Sequence, residues 1–166
     1  MSEYTIVAID PGTERSALVE IHWPSMKVIR AVIEPNAEIL ELLKYRLQWE
    51  QVVIEMIASY GMPVGAEVFE TCVWIGKFLE WSGPNAARLY RREVKLELCG
   101  SPRAKDANVR QALIDIYGPG KEKAIGLKKT PGPLFGFKAD MWAALGVAVT
   151  FGRMRDRSET ADHGDS

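Results

Sequence analysis

Cysteine and histidine are scarce in this 166-residue sequence, which has two of each. Neither Cys72 nor Cys99 has a histidine near it in the chain, so no set of residues has the ligand spacing of a zinc site. A structural zinc site is therefore excluded, and we interpret both cysteines as small, buried, reduced side chains. With 47% apolar and 26% charged residues, the composition is that of one soluble globular domain.

Long hydrophobic runs are also missing. The longest uncharged stretch, 141–152, is well short of the roughly 20 apolar residues that a membrane-spanning helix needs. The first residues lack the basic and apolar segments of a signal peptide. We therefore expect no membrane span and a cytoplasmic location.

The net charge of -1 hides an uneven distribution of charge along the chain. Residues 1–87 hold 6 Lys and Arg against 12 Asp and Glu, residues 88–138 hold 12 against 5, and residues 139–166 hold 3 against 5. Separate acidic and basic surfaces suit a protein that binds both cations and a polyanion. A solvated charged face explains the same pattern, so the distribution does not decide between the two.

Apolar periodicity and turn residues predict the order of the secondary structure elements. Strands are expected at 4–9, 16–23, 27–34, 51–57 and 88–91, and helices at 36–49, 66–81, 106–117 and 138–151. This order predicts an α/β fold of the RNase H-like type, with a mixed five-stranded sheet flanked by helices in a single domain over 1–152. We expect a basic loop of low local order at 118–136 and a flexible polar tail at 153–166.

The predicted helix at 66–81 carries two apolar stripes. Val68, Cys72, Ile75 and Leu79 form the first, which we expect to cover the sheet, and the second consists of Trp74, Phe78 and Trp81. A neighbouring helix of the same chain is one partner for the second stripe. A second copy of the chain is the partner we favour, because a third apolar layer is scarce in so short a chain.

Three acidic residues fall where a charge is costly to bury. Asp10 ends the first apolar strand, Glu55 interrupts the fourth, and Asp140 lies in the first turn of the last predicted helix, on its inward face. Buried carboxylates need a positive partner, which is either lysine or a hard cation such as Mg²⁺ that prefers oxygen ligands. Taken singly, these acids also fit a β-turn, an exposed strand end and a helix cap.

Several segments resemble the RuvC-like Holliday-junction resolvases, particularly the small phage and prophage members. The matching segments are IVAIDPGT at 6–13, VVIE at 52–55, AKDANVRQAL at 104–113 and ADMWAAL at 139–145. The segments at 59–65 and 70–76 are similar to the phage subgroup. Together the segments extend over residues 4–150, and their order and spacing carry the resemblance.

This resemblance implies a homodimer that resolves four-way DNA junctions by paired symmetric nicks. Asp10, Glu55 and Asp140 would be both the catalytic and the metal-binding residues, with two Mg²⁺ ions per active site, Mn²⁺ as an alternative and no nucleotide cofactor. Cellular members usually carry a further acid or a histidine one turn before the final aspartate. This chain has Phe137 there.

Basic and amphipathic residues near these acids are the candidate DNA contacts, since lysine and arginine neutralise phosphates and aromatic or apolar side chains stack on opened bases. The predicted set is Tyr60, Met62, Arg91, Arg92, Lys95, Lys105, Arg110, Lys128, Lys129 and Lys138. For the loop residues, packing on their own domain is an equally good explanation. For the basic ones, solvation is the alternative.

Two other functions remain open at the level of sequence. One is a different RNase H-like nuclease that acts on RNA, of the YqgF type. The other is a branched-DNA-binding protein that does not cleave, which Phe137 supports. A dimer interface on the helix at 66–81 would favour the junction enzyme, because a junction presents two symmetric strands to cut.

Overall fold

A mixed five-stranded sheet, ordered β3-β2-β1-β4-β5, forms the centre of the protein, and a separate two-stranded hairpin pairs β6 with β7. The computed structural model describes residues 3–47, 50–162 and 164. The elements are β1 (Tyr4–Asp10), β2 (Arg15–Trp23), β3 (Val28–Pro35), α1 (Asn36–Tyr45), β4 (Gln51–Met56), α2 (Ala66–Trp81), β5 (Ala87–Tyr90), α3 (Arg91–Cys99), α4 (Asp106–Tyr117), α5 (Lys121–Ala124), β6 (Gly126–Leu127), β7 (Thr130–Pro131) and α6 (Met141–Asp162). The predicted α/β architecture is confirmed.

The strand directions place the ends of β1 and β4 side by side. β2 is antiparallel to β1 and to β3, whereas β4 is parallel to both β1 and β5. In the β1–β4 register Ile9 pairs with Ile54, so Asp10 and Glu55 follow as the next residues of neighbouring strands. Two acids that are far apart in sequence therefore end at the same edge of the sheet.

Side chains alternate between two buried layers because successive strand residues point to opposite faces. Val7 and Ile9 pack in the layer that α1 and α2 cover. Ile6, Ala8 and Val53 pack in the layer that α3, α4 and α6 cover. Because both faces of the sheet are buried, successive residues of these strands are apolar, and each strand is a continuous hydrophobic segment in the sequence.

Helix α2 packs differently from the two predicted stripes. Thr71, Ile75 and Phe78 are buried against the sheet, so Phe78 belongs to the core and not to a free second stripe. Helix α1 lies beside α2, and the Lys44 ammonium lies over the Trp81 ring at 4.8 Å. The neighbouring helix therefore covers part of the second stripe, as the alternative expectation allowed. Helix α1 is shorter than the predicted helix at 36–49. It ends at Tyr45, so the prediction is wrong for residues 46 and 47. Gln48 and Trp49 lie outside the described residues.

The predicted end of the last helix at 151 and the flexible tail after it are wrong over 153–162, because α6 continues to Asp162. This segment is anchored to distant parts of the chain. The Trp23 Nε1 donates to Asp156 at 3.1 Å, and the Arg157 guanidinium donates to both Glu97 carboxylate oxygens at 2.8 and 2.7 Å. Despite the length of α6, none of the helices in the described part of the chain is apolar enough over a sufficient length to cross a membrane.

The glycine-rich basic segment at 118–136 is also more regular than expected. It contains α5 and the β6–β7 hairpin, and Ala124 and Leu134 anchor it in the core. Gly126 has a positive φ of 70°, and a Cβ built there would lie 2.3 Å from the Thr130 carbonyl oxygen. Glycine is thus required for the hairpin to close, and the expectation of a loop with low local order is wrong.

Candidate active site

Asp10 and Glu55 lie at the same sheet edge and on the same face. Asp10 continues the alternation of Ile6 and Ala8, and Glu55 continues that of Val53, so both side chains belong to the face that α3, α4 and α6 cover. Their side chains are only 12% exposed. The strand register therefore brings two largely buried carboxylates together under the helices.

Arg91, the first residue of α3, provides the positive charge next to these acids. Its Nε donates to Glu55 Oε1 at 2.9 Å, and its Nη2 lies 3.9 Å from Asp10 Oδ2. Its Nη1 lies 3.4 Å from Asp106 Oδ2. We predicted Arg91 as a phosphate contact, and in this structure its guanidinium faces the carboxylates.

The two buried acids hold their protons more tightly than ordinary carboxylic acids do. Burial, together with the neighbouring Glu55 carboxylate, raises the pKa of Asp10 from 3.8 to about 8, although Arg91 acts in the opposite direction. Burial also raises the pKa of Glu55, again against the effect of Arg91. The lowering effect of the Arg91 guanidinium on the two pKa values is therefore smaller than the raising effect of burial and the neighbouring acids.

Asp140 reaches the same site from a position that differs from the prediction. It lies immediately before α6 rather than in the first turn, and its carbonyl accepts the backbone N–H of Ala144 at 3.0 Å. Ala139 has a left-handed backbone (φ 43°), which turns the chain before the helix begins. The expected burial of Asp140 is wrong, since the residue is exposed.

Glu55 and Asp140 line one cavity of about 110 Å³, which we call the carboxylate cavity; its charged lining residues are Glu55, Arg91, Lys95, Asp106 and Asp140. Asp10 adjoins it through Arg91. Asp106 begins α4, and its carboxylate also pairs with Lys95 Nζ at 3.3 Å. The sequence interpretation missed Asp106, because an acid in the first turn of a helix is ordinary.

The chemistry of these side chains suits a hard divalent cation. The available ligands are carboxylate oxygens, which Mg²⁺ and Mn²⁺ prefer. Among the described residues, however, no three His, Cys, Asp or Glu side chains form a group arranged to hold a metal ion. The donor set fits a metal, but the donors are not gathered around one point.

Most of the predicted DNA contacts lie in two cavities that share residues with the carboxylate cavity. One is lined by Tyr60, Arg91, Arg92, Lys95, Pro102 and Arg103. Met62 is 71% exposed on the same loop as Tyr60. The basic surface and the loop aromatic therefore adjoin the acids directly.

The second cavity lies on the other side, towards the start of α6. Its lining includes Asp106, Arg110, Phe137, Lys138 and Trp142. Phe137 packs against the Trp142 ring, with the ring centroids 5.4 Å apart. The Arg110 guanidinium lies over the Trp142 ring, 4.8 Å from its centroid. Phe137 therefore acts as a packing residue, and its side chain offers no metal ligand.

Three further predicted contacts lie outside these cavity linings. Lys105 is exposed immediately before α4, where its backbone N–H donates to Asn108. Lys128 and Lys129 are exposed at the tip of the β6–β7 hairpin. These two lysines form part of the basic surface, and the hairpin holds them outside the linings of the cavities near the acids.

The solved structures that are similar to this chain include two of RuvC. A Thermus thermophilus RuvC structure superposes with a TM-score of 0.62 at 19% identity, covering 90% of this chain and 96% of RuvC. The fold is that of RuvC. T. thermophilus RuvC in complex with a Holliday junction substrate gives a TM-score of 0.60 at 20% identity, covering 91% of this chain and 96% of the other. No protein-family model and no curated protein sequence matches this chain.

Proposed function

We propose that this protein is a metal-dependent endonuclease that resolves four-way DNA junctions by paired nicks, as the sequence resemblance implied. One observation carries the proposal: Asp10 and Glu55 lie side by side at the carboxyl ends of neighbouring parallel strands, and Glu55 and Asp140 line one cavity that shares residues with two basic cavities. The RuvC fold, seen in a protein that binds a Holliday junction, supports the choice of substrate.

In this proposal Asp10, Glu55 and Asp140 hold two Mg²⁺ ions, with Mn²⁺ as an alternative. Bound ions of this kind activate a water and stabilise the leaving oxygen of a phosphodiester. The protein's own contribution is to fix Asp10 and Glu55 on neighbouring strands with little exposure to water, to place Asp140 just before the start of α6, and to hold the phosphate next to them. Lys138, two residues before Asp140, is positioned for that last task.

The basic cavities would orient the arms of the junction. Arg92, Lys95 and Arg103 flank the acids on the Tyr60 side, while Arg110 and Lys138 flank them on the other. These contacts would neutralise phosphates, so the affinity should fall steeply with salt. Tyr60, 62% exposed, would stack on a base opened at the crossover.

The decisive experiment offers the protein a synthetic four-way junction, a linear duplex and a structured RNA, each with Mg²⁺ or with EDTA. We expect paired, symmetric nicks in the junction alone and only with Mg²⁺. RNA trimming would favour the YqgF-type nuclease instead. Junction binding without cutting in Mg²⁺ or Mn²⁺ would favour the non-cleaving binder, a function that the packed Phe137 supports.

A homodimer is part of this proposal, because two symmetric nicks need two active sites. Helix α2 offers a surface for it: Phe69 and Val73, one turn apart, are 63% and 53% exposed. Phe69→Glu or Val73→Glu should halve the mass measured by sedimentation. Tyr45→Glu, on α1, removes an exposed aromatic elsewhere and is the matched control. An unchanged mass in both α2 variants would move the interface away from this face.

A further inference from the structure

Arg91 contacts carboxylates from three different elements. Its guanidinium pairs with Glu55 on β4 at 2.9 Å, with Asp106 on α4 at 3.4 Å and with Asp10 on β1 at 3.9 Å. The contact with Glu55 is a hydrogen bond from Nε, so it uses a carboxylate oxygen that a metal ion would also use. Arg91 and a cation therefore compete for the same acid.

Carboxyl groups outnumber cations around the carboxylate cavity. The carboxyl groups are those of Asp10, Glu55, Asp106 and Asp140, and the cations beside them are Arg91 and Lys95. A divalent cation would supply the further positive charge that this excess of carboxyl groups can accept. If Arg91 stayed on Glu55 it would repel that cation, whereas its complete removal would leave the buried acids short of positive charge.

Asp106 offers Arg91 a second position close to the first. Its side chain is 72% exposed, that of Arg91 is 41% exposed, and Nη1 of Arg91 already lies 3.4 Å from Asp106. Arg91 would therefore keep a carboxylate partner, Asp106, on releasing Glu55 and Asp10. Lys95, 3.3 Å from Asp106, shares that carboxylate.

We propose that Arg91 is a built-in counter-cation that competes with the divalent ion for Glu55 and Asp10, and that Asp106 accepts its guanidinium when the ion binds. This inference rests on the proposed function. It explains why these acids interact electrostatically and yet do not form a metal-ligand group among the described residues. Arg91 is thus a positioning residue that sets the affinity for metal.

A different role for Asp106 makes a different prediction. As an exposed acid on the cavity wall, it would act as a direct ligand in place of the acid that Phe137 replaces. A direct ligand matters for metal binding whether or not Arg91 is present. An acceptor for Arg91 matters only while Arg91 is there, so a double-mutant cycle separates the two roles.

The test is Mn²⁺ binding to the full chain without DNA, measured by calorimetry and by the electron paramagnetic resonance of free Mn²⁺. Arg91→Gln should tighten the Mn²⁺ Kd by about tenfold, since it removes one competing positive charge. Asp106→Asn should weaken it about threefold in the parent chain and leave it unchanged in the Arg91→Gln background. Arg88→Gln removes the same charge at an exposed position on β5 and should change the Kd by less than about twofold.

Circular dichroism and thermal unfolding confirm that each variant is folded before titration. An Arg91→Gln variant that binds Mn²⁺ no more tightly than the parent overturns the competition. An Asp106→Asn effect of equal size in both backgrounds overturns the acceptor role and makes Asp106 a ligand. If neither the parent nor the folded Arg91→Gln variant binds Mn²⁺, the proposed metal site is wrong and so is the proposed function. If both bind Mn²⁺ with the same Kd, only the inference about Arg91 is overturned.

Discussion

Helix α6 connects two groups of charged residues at opposite ends of β1, and they differ in how well charge is balanced. Near its start, one guanidinium, that of Arg91, is shared among Asp10, Glu55 and Asp106. Near its end, Arg157 donates two hydrogen bonds to a single carboxylate, that of Glu97. One group has more acids than cations, and the other pairs one acid with one base.

The pKa shifts follow this difference. The hydrogen bonds from Arg157 lower the pKa of Glu97, which is what an ion pair that supports the fold does. Burial raises the pKa of Asp10 and Glu55 even though an arginine is next to them. A balanced pair holds elements together, whereas an unbalanced group of buried acids is an indication of a functional site.

Asp10→Asn should have the largest effect of these substitutions, and the effect should be on cleavage, because Asp10 belongs to the group near the start of α6 that has more acids than cations. We expect cleavage of a four-way junction to fall by about 10³-fold or more, because a charged oxygen ligand is lost. Junction affinity should stay within about threefold, since phosphate contacts come from other residues. Single-turnover cleavage and gel-shift titration measure the two. Asp115→Asn, an acid on α4 away from the cavity, is the control, and normal cleavage by Asp10→Asn would show that the site is elsewhere.

Gly152→Ala tests the other end through packing. A Cβ there would lie 2.6 Å from three ring atoms of Trp23, so the ring must shift and its hydrogen bond to Asp156 must weaken. Overpacking of this kind costs about 2 kcal/mol, and we expect a Tm lower by about 6 °C in calorimetry. The Mn²⁺ affinity should not change. A Tm equal to that of the parent would mean that Trp23 is loosely packed.

The stability of the chain without divalent ions should depend on pH through Asp10. The folded chain keeps the Asp10 proton to about pH 8, while the unfolded chain releases it near the ordinary value of 3.8. The unfolded state then binds fewer protons, so the free energy of unfolding falls as the pH rises through this window.

We expect the Tm of the parent chain to drop by about 4 °C more than that of Asp10→Asn between roughly pH 5.5 and 8 in EDTA. Saturating Mg²⁺ should remove the difference, because it favours the ionised carboxylate. Thermal unfolding across this pH range is the measurement. Parallel pH profiles for the parent and the variant in EDTA would contradict the raised pKa.

Arg157→Ala should have the smallest effect. The Arg157 side chain is 60% exposed, and exposed ion pairs contribute little because water and salt screen them. We expect a Tm within about 1 °C of the parent and unchanged cleavage. A large loss of stability would mean that the end of α6 depends on this one pair rather than on the Trp23 contact.

The five-stranded sheet was predictable because its strands are apolar on both faces, and Val7 to Ile9 or Val52 to Ile54 can hardly form anything else in a buried layer. The course of 153–162 was not predictable. Its polar residues gain their partners from far along the chain, as with Trp23 and Asp156, 133 positions apart. Local polarity alone favours a solvated tail.

The same distinction applies to the site. Asp10 and Glu55 are conspicuous in sequence because an acid within an apolar strand is costly unless something compensates it. Asp106 was missed, and Arg91 was predicted only as a DNA contact, because each begins a helix, where charged residues are common. Their contacts depend on how α3 and α4 pack, which no local pattern records.

The path of α6 also has a practical consequence for handling the protein. Gly152 ends the most apolar part of the helix, so it looks like a natural place to trim the chain, yet Asp156 and Arg157 lie beyond it and contact Trp23 and Glu97. A trimmed chain ending there would expose the Trp23 indole to water. Shortened versions for crystallisation or fusion should therefore keep every residue through Asp162.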